Sequence, residues 1–256
     1  MTTNAAGTTV VVLAGGRNSQ EMAAATGTEN RALTPIGART MLDYVVSALS
    51  EAPSAGQVFV VGNVPQSRRY TQIAGRETLL ENLLAGLDAA GEVERVLVST
   101  SDIPFLTADA VEDFLSRAAA TGAALCCSYV PLSLCLRKYP VMKRTAVRLS
   151  EGRFTLGNLM LVQPAFLRTR QEEISKAYAS RKSPVQVARL LGFGLLLRLL
   201  GAQLIAPGLL SVAALEAAVS RVLGGRAAGI CSAYAEIGTD VDKPEDVAVA
   251  RRLLAS

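Results

Sequence analysis

"VVLAGGRNSQEMAAATGTENRALTPIG", residues 11–37, passes from an unbroken apolar run straight into two glycines, an arginine and a long polar stretch. With the residues before it, "TTVVVLA" (8–14) has the continuous apolar character of a strand buried on both faces, as parallel sheets require. Gly15 and Gly16 allow the chain to turn sharply and to approach a ligand without a Cβ in the way. Successive amides in such a turn can cradle phosphate oxygens, and Arg17 can add a bidentate contact. The loop has neither the GxxxxGK[ST] of a P-loop nor the GxGxxG of a dinucleotide fold. A plain turn with solvent-facing polar residues is the alternative reading.

Outward from this loop, strand and helix alternate. "TMLDYVVSALSEA" (40–52) puts Met41, Leu42, Val45, Val46 and Leu49 on one helical stripe. "GQVFVVG" (56–62) is a second strand, "ETLLENLLAGLDAA" (77–90) a second helix and "VERVLVST" (93–100) a third strand. Thr107 is a good N-cap for a helix starting at Ala108, and "AALCCSYVPL" (123–132) is a fourth strand. This order predicts an α/β, doubly wound, mostly parallel sheet covered by helices on both faces, a three-layer sandwich. Right-handed crossovers then place the strand ends near Ala14 and Ser99 on one edge.

The second half is less regular. "RTAVRL" (144–149) and "LMLVQPAFL" (159–167) are short strand candidates around the turn-like "SEGRFTLGN" (150–158). Residues 168–225 read as a mostly helical elaboration broken at Pro184, Gly192 and Pro207. Pro244 suits the first turn of a final helix, with Glu245 and Asp246 at its positive end. Neither an internal repeat nor a clean linker is evident, so residues 1–256 are expected to form one domain.

Composition excludes several classes. The chain contains no histidine, which removes imidazole zinc sites, Ser-His-Asp triads and histidine bases. Twenty-six Lys and Arg against 22 Asp and Glu leave a formal charge of only +4, scattered rather than gathered. With few aromatics, this argues against nucleic acid as a partner. The four cysteines form no CxxC pair, and Cys126 and Cys127 end an apolar run as buried free thiols would. The greasy stretch at 190–210 is interrupted by Arg198 and glycines and falls short of a membrane span. The N-terminus lacks signal-peptide features, so a cytoplasmic protein is expected.

Two further segments carry acids. Asp102 follows the third strand in "STSDIPFL", on the edge expected to hold the glycine loop. Beside bound phosphates its carboxylate would suit magnesium, which takes oxygen ligands and phosphate together. An Asx turn is the local alternative. In "GTDVDKPED", Asp240 and Asp242 face one way if the backbone is extended, which favours a cation between or beside them. Lys243 is the other candidate for that partner. Further along, Lys143, Arg144 and Arg148 offer cations, and Gly157 and Asn158 read as a tight turn with an amide donor. Solvated surface charge is the competing account of these cations.

Taken in order, "VVLAGGR", "RALTPIGARTMLDYVVSAL", "LVSTSDIPFLTADAVEDFL" and "IGTDVDKPEDVAVARRLL" resemble the MobA-like nucleotidyltransferases. The resemblance spans nearly the whole chain and implies a Rossmann-like (GT-A-like) nucleotidyltransferase fold. It implies a nucleoside triphosphate at the glycine loop, magnesium as cofactor, and attack by an acceptor phosphate on the α-phosphorus with pyrophosphate leaving. By that resemblance Leu13, Ala14, Gly15, Gly16 and Arg17 form the nucleotide loop. Asp102 is the principal magnesium ligand, and Asp240 supplies a second, with Asp242 beside it. "GNLMLV" resembles a family feature on the acceptor side, which makes Arg144, Arg148, Gly157 and Asn158 the acceptor-binding candidates.

The loop departs from the family. Where the family carries a second arginine, this chain has Gln20 and Glu21; where it carries a lysine before "AL", this chain has Arg31. Arg31 keeps the charge expected to bind triphosphate and assist catalysis but lacks the compactness of an ammonium. "EMAAATGTE" also lacks the family's glycine after methionine. A non-catalytic nucleotide- or metabolite-binding member therefore competes with an enzyme, and a Rossmann-type oxidoreductase ranks below both. Base, acceptor and any homo-oligomer contact through the helical elaboration are left open.

Overall fold

The computed structural model describes residues 7–172, 174–175 and 209–254. Its centre is β1 (Thr8–Leu13), paired in parallel with β4 (Ala55–Val61) on one side and β6 (Val96–Thr100) on the other. β5 (Thr71–Ile73) extends the sheet beyond β4. Beyond β6 run β9 (Gly152–Val162), β7 (Leu125–Pro131) and β10 (Ala227–Cys231), giving the order β10-β7-β9-β6-β1-β4-β5. β9 runs antiparallel to both its neighbours, whereas the other strands of this path are mutually parallel. β8 (Val147–Leu149) pairs with the start of β9, while β2 (Pro35–Ile36) and β3 (Arg39–Thr40) form a separate ribbon.

Why β1 is apolar throughout is visible in the packing. Val10 and Val12 face a core shared with α2 (Met41–Glu51) and α4 (Ala108–Thr121). Val11 and Leu13 face the opposite core, shared with α3 (Leu79–Ala90) and Leu167 of α6 (Pro164–Thr169). Alternate residues therefore meet different layers, and none can be polar. All five stripe residues of α2 are buried, as the helical period requires. Thr40 and Thr78 close capping boxes with Asp43 and Glu81, and the Thr107 hydroxyl accepts from the Ala110 amide. Pro244 opens α8 (Pro244–Leu254), reached after α7 (Val212–Leu223) and β10.

Gly86 lets α3 lie close on the sheet. A Cβ there would stand 2.4 Å from Val11 Cγ1 and 3.0 Å from Val61 Cγ2. Gly86→Ala is expected to destabilise the protein by roughly 1–3 kcal/mol, despite alanine's better helix propensity. A lower denaturant midpoint with unchanged slope would be the signature; an unchanged midpoint would contradict it.

Three expectations need correction. "SEGRFTLGN" is largely the first part of β9, and Gly157 and Asn158 are interior strand residues, not a tight turn. "LMLVQPAFL" ends as strand at Val162 and continues as α6. The polar stretch after Arg17 is not all loop: Gln20–Thr26 forms α1, capped by Ser19, with Met22 fully buried. α5 (Leu132–Lys138), β5 and β10 were not foreseen. Most of the elaboration expected at 168–225, with Pro184, Gly192, Arg198 and Pro207, lies outside the described residues. The four cysteines are free, Cys126 buried as expected but Cys127 only half-buried. Among the described residues no helix is long and apolar enough to cross a membrane.

Candidate active site

The chain order β1, β4, β6 becomes the spatial order β6-β1-β4. α2, after β1, and α4, after β6, pack on one face, while α3, reached from β4 and β5, packs on the other, so the loops after β1 and β6 part from the segment leading into α3 around a crevice. Registration of Leu13 with both Thr100 and Val61 brings those loops to a common rim.

Past Leu13, the Ala14 amide donates to the Val61 carbonyl at 2.8 Å, so Ala14 prolongs the ladder and is fully buried. Gly15, Gly16 and Arg17 then emerge into solvent. Neither glycine has a positive φ. The pressure on Gly15 is steric: a Cβ would sit 2.9 Å from Asn82 Nδ2. At Gly16 a Cβ would meet nothing closer than 3.8 Å. The loop closes on itself through the Asn18 amide to the Glu29 carbonyl (2.8 Å) and the Arg31 amide to the Gly16 carbonyl (3.0 Å). A 3-10 turn, Arg31–Leu33, follows, with the Asn30 side chain accepting from the Ala32 amide.

Arg31 lies where the segments meet. Its Nη1 donates to Asp102 Oδ2 at 3.3 Å and to Asp242 Oδ1 at 2.5 Å, while Nη2 donates to the Arg17 carbonyl at 3.2 Å. The Val241 amide donates to the Asp102 carbonyl at 2.8 Å, tying the β6 loop to the acidic segment ahead of α8. Asp240 is taken by Arg144, whose Nη1 donates to Oδ1 at 2.9 Å and whose Nη2 donates to the Asp240 carbonyl at 2.7 Å. The partners of the two acids are thus arginines from other elements, not Lys243.

Two adjoining clefts open on this rim. One of about 600 Å³ is bordered by Gly15, Gly16, Arg17, Glu29, Asn30, Asn63, Gly75, Arg76 and Glu77. Another of about 230 Å³ reaches down to Leu13, Arg31, Asn82, Thr100, Ser101 and Asp102. The sequence reading missed the far wall. Asn82, 4% exposed, donates to the carbonyls of Arg76 (3.1 Å) and Thr78 (2.8 Å) and accepts from the Arg76 amide (2.8 Å). It clamps the 75–78 loop against the Gly15 turn. Its signal was present: an asparagine in the apolar stripe of α3, one turn before Gly86.

The acceptor-side residues separate. Arg144 is committed to Asp240, with a side chain only 5% exposed. Asn158 donates to the Ile237 carbonyl at 2.9 Å, bracing the 3-10 turn Ala235–Gly238 that precedes Asp240. Gly157 is packed shut, since a Cβ would lie 2.2 Å from Ser128 Oγ. Arg148 stands exposed on β8 opposite Arg153.

The donor set fits magnesium. Asp102 Oδ1 and Thr100 Oγ1 are buried without a hydrogen-bond partner, and a hard cation takes such oxygens. Among the described residues no group of three or more His, Cys, Asp or Glu side chains forms a ready-made cage.

Burial pushes the Asp240 carboxyl up to about 7; the hydrogen bond and charge of Asp242 act the same way, as does Asp102, while Arg144 opposes them. Burial also raises Asp246, whose carboxylate receives the Asp242 and Lys243 amides. Between the ordinary 3.8 and about 7 the folded chain holds a proton that the unfolded chain has released. Stability of the metal-free protein therefore declines as pH rises through that window. A lower melting temperature at pH 8 than at pH 5, with a smaller difference in Asp240→Asn, is expected. Equal melting temperatures in the parent protein would contradict it.

The family model described as MobA-like NTP transferase domain matches residues 10–184. A solved structure titled as a hypothetical transferase from Thermus thermophilus is 36% identical, with a TM-score of 0.84 over 94% of this chain and 99% of that one. A CMP:2-keto-3-deoxy-manno-octonic acid synthetase complexed with CTP shares the fold at 13% identity, TM-score 0.59, over 98% of this chain and 99% of that one. So does a 2-C-methyl-D-erythritol 4-phosphate cytidylyltransferase, also from Thermus thermophilus, at 18% identity and TM-score 0.54, over 96% and 98%. A comparison with curated proteins gave no match.

Proposed function

Because the chain belongs to the MobA-like NTP transferase domain family, we propose that it transfers a nucleoside monophosphate from a nucleoside triphosphate to a phosphorylated small molecule. The carrying observation is the meeting of the Gly15–Arg17 turn, Asp102 and Asp242 on the Arg31 guanidinium beside the two clefts. An acceptor phosphate oxygen would form the new bond to the α-phosphorus. The bond from that phosphorus to the oxygen bridging to the β-phosphorus would break, its electron pair leaving with pyrophosphate. The acceptor is already ionised at neutral pH, so the protein supplies alignment and charge rather than a nucleophile.

In this reading the Gly15–Gly16 amides and Arg17 hold the triphosphate. Arg31 exchanges its carboxylate partners for phosphate oxygens and stabilises the departing charge. Asp102 and Asp240 would hold magnesium, with Asp242 beside them; the ion when bound supplies Lewis-acid charge neutralisation. Lys143 and Arg148, both exposed, are the cations proposed to face the acceptor. We take residues 1–256 as one NTP transferase domain carrying a helical elaboration at about 168–225.

Pyrophosphate release, measured with the four ribonucleoside triphosphates against a panel of sugar and alcohol phosphates in magnesium, tests the proposal. Release with at least one pair is expected. Its absence for every pair, in folded protein, overturns the enzyme. A binding-only member is the second reading, favoured by one observation: Gln20 and Glu21, at the family's second arginine, are the uncharged and acidic opening of α1. Calorimetric nucleotide binding without turnover would select it.

A further inference from the structure

We infer that Arg144 is a positioning residue for the acidic edge of the magnesium site rather than a ligand for the acceptor, an assignment that rests on the function proposed above. Arg144 belongs to the segment between α5 and β8, where an exposed basic residue would suit an acceptor phosphate. Its side chain is instead 5% exposed, with both Nη groups on Asp240 and Nε buried without a hydrogen-bond partner. Nη1 holds Asp240 Oδ1 at 2.9 Å, Nη2 holds the Asp240 main-chain carbonyl at 2.7 Å, and Nη2 also lies 3.7 Å from Met142 Sδ.

That grip fixes the carboxylate and its own backbone together, which leaves Asp240 little rotamer freedom. The next residue, Val241, donates its amide to the Asp102 carbonyl at 2.8 Å, so a held Asp240 is held relative to Asp102. Groups that orient metal ligands through hydrogen bonds govern affinity nearly as strongly as the ligands themselves. A planar fork can bridge a carboxylate oxygen and a carbonyl at once; an ammonium on a flexible stem cannot set the same plane.

Arg31 supplies the contrast. Its side chain is 29% exposed, borders the smaller cleft, and divides its donors among three residues, Asp102 at 3.3 Å, Asp242 at 2.5 Å and the Arg17 carbonyl at 3.2 Å. One arginine is placed to exchange partners when phosphate arrives, the other to stay.

The test is manganese binding, followed by electron paramagnetic resonance, in the parent protein, Arg144→Gln and Arg144→Lys, with thermal unfolding alongside. Arg144→Gln is expected to weaken manganese binding roughly 10- to 100-fold. Arg144→Lys keeps the charge and the fold but loses the fork, so it should recover only part of that loss. Once an acceptor is in hand, kcat should fall while the acceptor KM holds. Manganese affinity equal to the parent in the folded lysine variant, or an acceptor KM that rises at constant kcat, overturns the assignment. Should Arg144→Gln not fold, the lysine variant decides alone. A parent protein that neither binds manganese nor releases pyrophosphate would overturn the functional reading itself, a result distinct from either.

Discussion

Asp102→Asn is expected to lose at least about 100-fold in turnover while keeping its fold. Groups that merely orient a metal ligand cost 10- to 100-fold when removed, so the proposed ligand itself sets a higher floor. The fold should survive because the structural bond made by Asp102 comes from its main chain, whose carbonyl accepts the Val241 amide at 2.8 Å. Asparagine keeps that carbonyl and nearly the same volume. What it removes is the charge facing Arg31 and the carboxylate oxygen, Oδ1, buried without a partner. Pyrophosphate release, manganese binding and circular dichroism on one preparation separate the outcomes. Turnover equal to the parent protein would take Asp102 out of the mechanism.

Arg31→Gln should produce opposite changes in two measurements. Turnover falls by roughly 10²–10³, the scale for removing one donor aimed at developing charge. Manganese binding to the nucleotide-free protein tightens, because the guanidinium no longer bridges Asp102 and Asp242 and both carboxylates become available. Arg31→Lys, which restores the family's residue, should retain measurable turnover, since one ammonium still places a cation beside the phosphates. A glutamine variant with weaker manganese binding would mean that Arg31 organises the acids instead of competing with a metal for them. Unchanged turnover in that variant would remove Arg31 from the chemistry.

Much of this architecture was legible in the chain. β1, β4, β6 and β7 each declare themselves as short apolar runs, α2 as an apolar stripe, α3 as a helical run and α4 by its threonine cap. Their alternation implied the crossovers that put Gly15 and Asp102 on one rim. Only the end of β9 was legible, as the start of "LMLVQPAFL"; its first part was not, because Gly152, Gly157 and Asn158 imitate turn chemistry in a strand whose pairing partners, β6 and β7, lie far back in the chain. α1 was missed because seven residues with one buried methionine carry too little periodicity. Arg144, with Lys143 and Arg148 near it, reads as an acceptor cation because an arginine in a sequence announces its charge and nothing about its partner.

Sequence alone determined β1, β4, β6, β7 and the helices between and after them (α2, α3, α4 and α8), their order and the residue types available at the rim, since propensity, capping and periodicity act over a few neighbouring residues. Tertiary structure decided which arginine holds which carboxylate, that Asn82 clamps the far wall, and that β9 runs through the sheet against its neighbours. Those outcomes depend on contacts between segments remote in the chain, where geometry chooses among several partners of equal chemistry.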